Sequence, residues 1–283
     1  MTKPHSFLFV HAHPDDETIN NGATMAQLVS QGQDVHVLTC TRGEEGEILV
    51  AELADLASNA KDQLGKHREN ELKNAMKILG VRNFSFLGGN EIEFRDSGMM
   101  GTSANQRPDN FWNCDFEKAV EICAKLICEI KPDVLITYDE FGGYGHPDHI
   151  QTHRVAMAAA QKASSEWEIP RIYWNAMPKS LMEEAIEKLK SQGIVIPGME
   201  SSEDLGFLVD DGLITTHIDA TDFTEQKISA MLAHQTQISK DGEFFQLANT
   251  LGNQIFGHEY YVLVKGERGN NLDAKGREST LFS

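Results

Sequence analysis

The chain is 283 residues long, which at roughly 100–200 residues per domain suits one large domain or two small ones. Its 40% hydrophobic and 24% charged residues, with 23 Gly and 8 Pro, exclude disordered and fibrous architectures. Twenty-five Lys+Arg against 43 Asp+Glu leave a formal charge of -18, a surface that repels polyphosphate and anionic lipid, so no nucleic acid and no membrane is expected as a partner.

In chain order, Ser6–His11 is a short apolar run that reads as a buried strand. A helical pattern follows over about 18–31 and ends at Gly32. Asp34–Thr41, rich in β-branched residues, is the second strand. Leu72, Ala75, Met76 and Leu79 then fall at i, i+3, i+4 and i+7 of a helix that stops at Gly80. Asn83–Leu87 is a third strand. Phe116, Val120, Cys123, Ile127 and Ile130 stripe a helix closed by Pro132, before a fourth strand at Asp133–Tyr138. A helix near His149–Lys162, a strand at Arg171–Ala176 and a helix at Lys179–Ser191 come next. A polar stretch over 198–211 leads to a strand at Thr216–Asp219, a helix near Thr224–Ser239 and a last strand at Tyr260–Lys265. The polar tail from about residue 266 is expected at the surface or mobile.

Strands alternating with helices predict an α/β fold, a Rossmann-like and mostly parallel sheet sandwiched by helices, in one domain over 1–283. Ligands of such sheets bind outside the carboxyl ends of the strands. The connection from Gly88 to Asp115 is longer than scaffolding needs, so it is expected to overhang that rim with a functional role. The connection from Arg42 to about Asn59 is also long and opens on an acidic Arg-Gly-Glu-Glu-Gly-Glu. No apolar run approaches the ~18 residues that span a bilayer, and the first residues lack a signal-peptide pattern. Cys40, Cys114, Cys123 and Cys128 form no CxxC pairs. Cys123 and Cys128 fall in an apolar helical pattern and read as buried free thiols, so a reduced, cytoplasmic setting is expected.

The chemistry concentrates in two turns. His11-Ala-His-Pro-Asp-Asp-Glu17 closes the first strand, and Pro14 stops that strand from continuing. One carboxylate there is explained by capping the next helix; three acids beside a histidine are not. Gly142-Gly-Tyr-Gly-His-Pro-Asp-His149 closes the fourth strand, its glycines allowing close approach of backbone to a ligand. Two His-Pro-Asp turns at the ends of strands in one sheet point to a divalent metal held by histidine and carboxylate. Two His and one Asp with an open fourth position mark a catalytic rather than a structural zinc site.

With these motifs and the acidic Gly-Glu-Glu-Gly-Glu, the sequence resembles the LmbE/PIG-L superfamily of zinc-dependent sugar N-deacetylases. Arg95-Asp-Ser-Gly-Met99, Ala233-His234 and His258-Glu-Tyr-Tyr-Val-Leu-Val264 extend the resemblance over almost the whole chain. The Arg95-Asp-Ser-Gly-Met99 loop together with Gly142-Gly-Tyr-Gly-His146 narrows it to the mycothiol branch, which holds N-acetylglucosaminyl-inositol deacetylases and mycothiol S-conjugate amidases. The resemblance implies His13, Asp16 and His149 as metal ligands and Asp15 as general base. It implies Tyr144 and His146 as groups that stabilise a tetrahedral intermediate. It also implies Arg68, Asp96 and Glu47 as substrate contacts. The cofactor it implies is one Zn2+ per subunit, with Fe2+ as the alternative ion in the cell, and the substrate is a small glucosaminyl-inositol.

Each assignment has a plainer alternative. Arg68 suits a solvated helix face, Asp96 a turn cap, and Glu44, Glu45 and Glu47 an exposed acidic loop. His153 reads as a supporting or surface residue, His234 as packed or surface, and His36 as a strand histidine with a structural hydrogen bond. Deacetylation of N-acetylglucosaminyl-inositol is the first functional expectation and the S-conjugate amidase the alternative. A malate-linked glucosamine deacetylase suits this acidic chain less, because its substrate is anionic. Outside enzymes, a receiver-like or merely metal-binding module remains, although the receiver is typically much shorter and neither explains the spare Asp15 and Tyr144.

Overall fold

A computed structural model describes residues 3–89, 91, 94–195, 201–242, 245, 248 and 252–282, with the side chain of residue 204 excepted. Positions 90, 92 and 93 of the long connection and 198–200 of the polar stretch lie outside the described residues. The chain alternates β1 (Ser6–His11), α1 (Asp16–Ser30), β2 (Asp34–Thr39), α2 (Leu64–Leu79), β3 (Asn83–Phe86), α3 (Phe116–Ile130) and β4 (Val134–Thr137). A single turn, α4 (Gly142–Gly145), precedes α5 (Pro147–Ala163). β5 (Arg171–Pro178), α6 (Lys179–Ser191), β6 (Leu208–Val209), β7 (Thr216–Asp219), α7 (Thr224–Met231) and β8 (His258–Lys265) follow.

Among the described residues the strands form one eight-stranded sheet in the order β3-β2-β1-β4-β5-β8-β7, with β6 beside the end of β5. β1 to β5 run parallel, while β8 pairs antiparallel with both β5 and β7, so the sheet is mixed but mostly parallel as expected. Alternation along β1 divides its side chains between two cores. Phe7 and Phe9 join Met25 of α1 and Leu72, Met76 and Leu79 of α2; Leu8 and Val10 join Val120, Cys123 and Ile127 of α3 and Val155 of α5. Two helical layers therefore cover the two faces. The chain leaves β1 toward β3 and returns to β4 on the other side of β1. That reversal opens a crevice at the carboxyl ends of β1 and β4.

Local chemistry sets the helix ends. Asp115 accepts the Lys118 amide at the start of α3, and Gly80 takes a left-handed φ of 78° after α2. Three expectations need correction. The last long helix ends at Met231 rather than near Ser239, because the following chain turns inward and Glu71 takes both the Thr236 amide and hydroxyl, each at 2.8 Å. The tail lies at the surface over 266–276, as expected, but its end docks: Glu278 is 1% exposed and pairs with Arg171 at 2.6 Å, and Leu281 is buried in the β1 core. A buried ion pair between β5 and the tail ties the chain end across the sheet. Cys123 is buried but Cys128 is half-buried, and all four cysteines are free.

Candidate metal centre and catalytic pocket

Pro14 turns the chain out of β1, so residues 12–15 lie at the sheet's carboxyl edge and α1 begins at Asp16. After β4 the chain passes through α4 and starts α5 with Pro147 in its first turn. His146 caps α5, its Nδ1 accepting the Asp148 amide at 3.1 Å. Gly142 has φ 64°, and a Cβ there would stand 2.6 Å from the Ile150 amide nitrogen and 2.7 Å from His149 Cβ. Only glycine lets this loop lie against the turn of helix that carries His149.

His13, Asp16, His146 and His149 converge and are all buried. Asp16 Oδ2 lies 3.3 Å from His13 Nδ1 and 3.4 Å from His149 Nε2. Each of these two spacings is close to the edge of a tetrahedron whose donors stand about 2.0–2.1 Å from its centre, although the sets whose ligand atoms all lie within 4.8 Å do not include Asp16. His149 Nδ1 bonds the Gly142 carbonyl at 3.2 Å, which makes it the protonated nitrogen. Nε2 then faces inward with a free lone pair and no hydrogen-bond partner, as a metal ligand requires. The Tyr138 ring stacks on His149 with centroids 4.3 Å apart, and its hydroxyl accepts the Ala12 amide at 3.0 Å, tying the two turns together. The ring nitrogens of His13, His146 and His149 also approach within 4.8 Å of one another, as do the ligand atoms of His13, Asp96 and Asp148.

The two adjacent aspartates have separate environments. Asp16 points into the histidines. Burial alone raises its pKa, but His149 and His13 together hold it well below the usual range. Asp15 makes no side-chain cap to α1; its carboxylate instead sits 3.2 Å from Arg68 Nη2. Burial lifts Asp15 to about 6, with the Arg68 charge opposing. His146 is pushed down to about 3 by burial and by the neighbouring His13 and His149, so it stands neutral with its proton on Nε2. Tyr144 is 57% exposed over the mouth, its ring centroid 5.0 Å from that of His149.

The three expected substrate contacts fall differently. Arg68 is 2% exposed rather than solvated: its guanidinium donates to the Gly43 and Pro14 carbonyls and reaches Asp15. Gly43 and Gly46 close over it; a Cβ on either would meet Arg68 Nη1 at 2.1 or 2.7 Å. Asp96 is buried against His13, its Oδ1 3.6 Å from His13 Nε2 and accepting the Gly98 amide at 2.8 Å. Glu47 is exposed beside Gly46, outside the buried cluster. Of the plainer readings, His36 bonds Asp34 at 2.9 Å and His153 bonds the Tyr138 carbonyl at 3.0 Å, both structural. The long connection does reach the rim, through Asp96 and Ser97.

Sequence reasoning missed Asp148. It is fully buried, and its Oδ2 accepts from His13 Nε2 at 3.1 Å and from the Ser97 amide at 2.9 Å. Its other oxygen takes the Ser97 hydroxyl. A carboxylate on Nε2–H fixes the His13 tautomer with Nδ1 free toward Asp16. The signal was available: Asp148 is the acid of the second His-Pro-Asp turn. The pairing of Glu17 with His234, at 3.0 Å, carried no such signal because 217 residues separate the partners.

Residues 8–160 match the family described as PIG-L: GlcNAc-PI de-N-acetylase. A protein of Geodermatophilus obscurus named 1D-myo-inositol 2-acetamido-2-deoxy-alpha-D-glucopyranoside deacetylase is 49% identical, over 100% of this chain and 99% of its own length. A Catenulispora acidiphila protein named as deacetylase 1 for the same compound is 50% identical, over 100% of this chain and 90% of its own. Among solved structures, an N,N'-diacetylchitobiose deacetylase from Pyrococcus horikoshii superposes with a TM-score of 0.57 at 19% identity, covering 92% of this chain and 84% of that one, a likeness of fold.

Proposed function

The chain belongs to the PIG-L family of GlcNAc-PI de-N-acetylases, and on that premise we propose that it is a zinc-dependent hydrolase that removes the acetyl group from 1D-myo-inositol 2-acetamido-2-deoxy-α-D-glucopyranoside. Full-length similarity to relatives named for that reaction supports the substrate. The division of labour between Asp15 and Asp16 is the observation that carries the chemistry. Asp16 faces two histidine nitrogens, while Asp15, next to it, points elsewhere and is partly ready to hold a proton.

His13, Asp16 and His149 would hold the ion: the approach of Asp16 to a nitrogen of each histidine and the free Nε2 of His149 suit zinc. When bound, zinc supplies Lewis-acid polarisation of the acetyl carbonyl and acidification of water. Asp15 takes the proton of the attacking water, a role its raised pKa suits. The Tyr144 hydroxyl and the His146 Nε2–H donate to the oxygen that gains charge in the tetrahedral intermediate. Asp15, now protonated, passes its proton to the departing amine. His146 is disfavoured as that donor because it is neutral and its Nδ1 is committed to the Asp148 amide.

The test is acetate release from N-acetylglucosaminyl-inositol by metal-loaded and chelator-stripped protein, read by mass spectrometry beside plain N-acetylglucosamine. Metal-dependent release faster than from the plain sugar is expected. No release from folded, metal-loaded protein would overturn the assignment and direct attention to the cysteinyl amide of mycothiol S-conjugates.

A further inference from the structure

Asp15 is held in an unusual way for a flexible acid at the start of a helix. Its φ of 131° is one that L residues rarely adopt, and it is one of three non-glycine residues with positive φ among those described. Such a conformation persists only where surrounding contacts over-determine it. Here they do. The Asp15 carbonyl accepts the Thr18 amide at 2.9 Å, the Ile19 amide at 3.0 Å and the Thr18 hydroxyl at 2.8 Å. Arg68 stands 3.2 Å from the carboxylate. The Asp15 amide donates to Glu17 Oε2 at 3.0 Å, and the other oxygen of Glu17 meets His234 Nε2, also at 3.0 Å. Glu17 and His234 are both fully buried.

We propose that Glu17 and His234 form a buried positioning dyad that fixes the backbone of Asp15 and so aims its carboxylate. Neither side chain reaches the reacting atoms. His234 stands in the turn after α7, where its amide donates to the Met231 carbonyl and its own carbonyl accepts from Gln237 and Ile238. α7 packs on both α1 and α2, so the dyad pins the first turn of α1 to a rigid neighbour. Arg68 holds the carboxylate end of Asp15, the dyad holds the amide end, and the strained φ between them is the result. The Asp15 side chain makes no cap to α1; the amide of this N-cap residue is held instead by Glu17, whose other oxygen is spent on His234.

The inference rests on Asp15 being the general base, and the experiment separates the two. Steady-state kcat and KM, zinc content and melting temperature are measured for Glu17→Ala, Glu17→Gln, His234→Ala, Asp15→Asn and the double variant Asp15→Asn/Glu17→Ala. Misaiming a reacting group by about 1 Å costs up to about a hundredfold, so Glu17→Ala and His234→Ala are expected to lose roughly ten- to a hundredfold in kcat with KM and zinc content held. Glu17→Gln keeps an acceptor for the Asp15 amide, and His234 Nδ1 has no partner, so the imidazole is free to take the other tautomer; this variant should recover most of the rate. In the Asp15→Asn background, Glu17→Ala should cost nothing more, because the group it aims is gone. Three results overturn the dyad: parental kcat in both alanine variants, a loss that follows zinc content, or the same fractional loss with Asp15 already replaced. Should Glu17→Ala not fold, His234→Ala carries the same comparisons with the carboxylate left in place. Parental kcat in Asp15→Asn would overturn the base itself, a separate failure.

Discussion

Asp148→Ala tests whether the His13 imidazole is oriented by its buried carboxylate. Asp148 is the nearest carboxylate to His13 Nε2, at 3.1 Å, with Asp96 farther away at 3.6 Å. Removing it frees His13 to exchange tautomers and to rotate, and it strands the Ser97 amide, which donates to the same oxygen at 2.9 Å. Loss of such an outer partner of a metal-ligating histidine costs about 10–100-fold in metal affinity, which is roughly 1.4–2.8 kcal/mol. Asp148→Asn should lose less, since its carbonyl oxygen can still accept from both His13 and Ser97 while its amide turns to the Ser97 hydroxyl. The assay is zinc affinity by competition with a chromophoric chelator at fixed pH, beside His13→Ala, which should empty the site. At saturating zinc, Asp148→Ala should regain much of its kcat, because the ligands themselves remain. Zinc binding by Asp148→Ala as tight as the parent's would refute the orientation argument. So would an affinity in Asp148→Asn as poor as in the alanine variant, because the asparagine restores the acceptor.

Gly142→Ala should weaken metal binding although it adds one methyl, because the new Cβ would stand 2.7 Å from His149 Cβ and at a φ of 64°; a parental affinity in the same chelator competition would contradict this. Tyr144→Phe should lower kcat about tenfold or more with unchanged zinc content, short of the ~10²–10³ lost with an enclosed oxyanion donor, since Tyr144 is more than half exposed; steady-state kinetics with a zinc assay decides it. Burial pushes the Cys123 thiol up to about 12, so thiol reagents should spare Cys123 in the native protein and reach the half-buried Cys114 and Cys128 first; rapid native labelling of Cys123 would count against the α3 core. Burial and the adjacent His258 lower the pKa of His217 below 6.5. The unfolded chain then binds the proton better, so His217 contributes stability that is present above pH 6.5 and is lost as the pH falls from there through its lowered folded-state pKa. Titration of the ring by NMR at or above 6.5 would reverse the sign.

What could be read from the sequence, and what could not, divides by the range over which the information acts. The apolar run of Ser6–His11, the helical stripe of Phe116–Ile130 and the helix read over Lys179–Ser191 are local signals, and the elements match them to the residue. The mostly parallel sheet follows from alternating strands and helices, whereas the reversal between β1 and β4 that lets two His-Pro-Asp turns 133 residues apart face each other is seen only in the strand order. A strand's pattern carries no direction, so nothing in His258–Lys265 announced that β8 would run against β5. Buried charge pairs are invisible for a related reason. Arg171 with Glu278 and Lys227 with Glu259 look like surface residues until the partner is known, because an ionic side chain enters the core only when paired, and although Glu17 and His234 stand in quoted motifs their pairing is not visible either. The polar tail and the turn after Met231 were misread on that account. The same property makes the site's support harder to see than its ligands. His13, Asp16 and His149, the ligands that the family resemblance implies, stand in two motifs that can be seen in the sequence, whereas Asp148, Glu17 and His234 make hydrogen bonds that form only once the chain has closed.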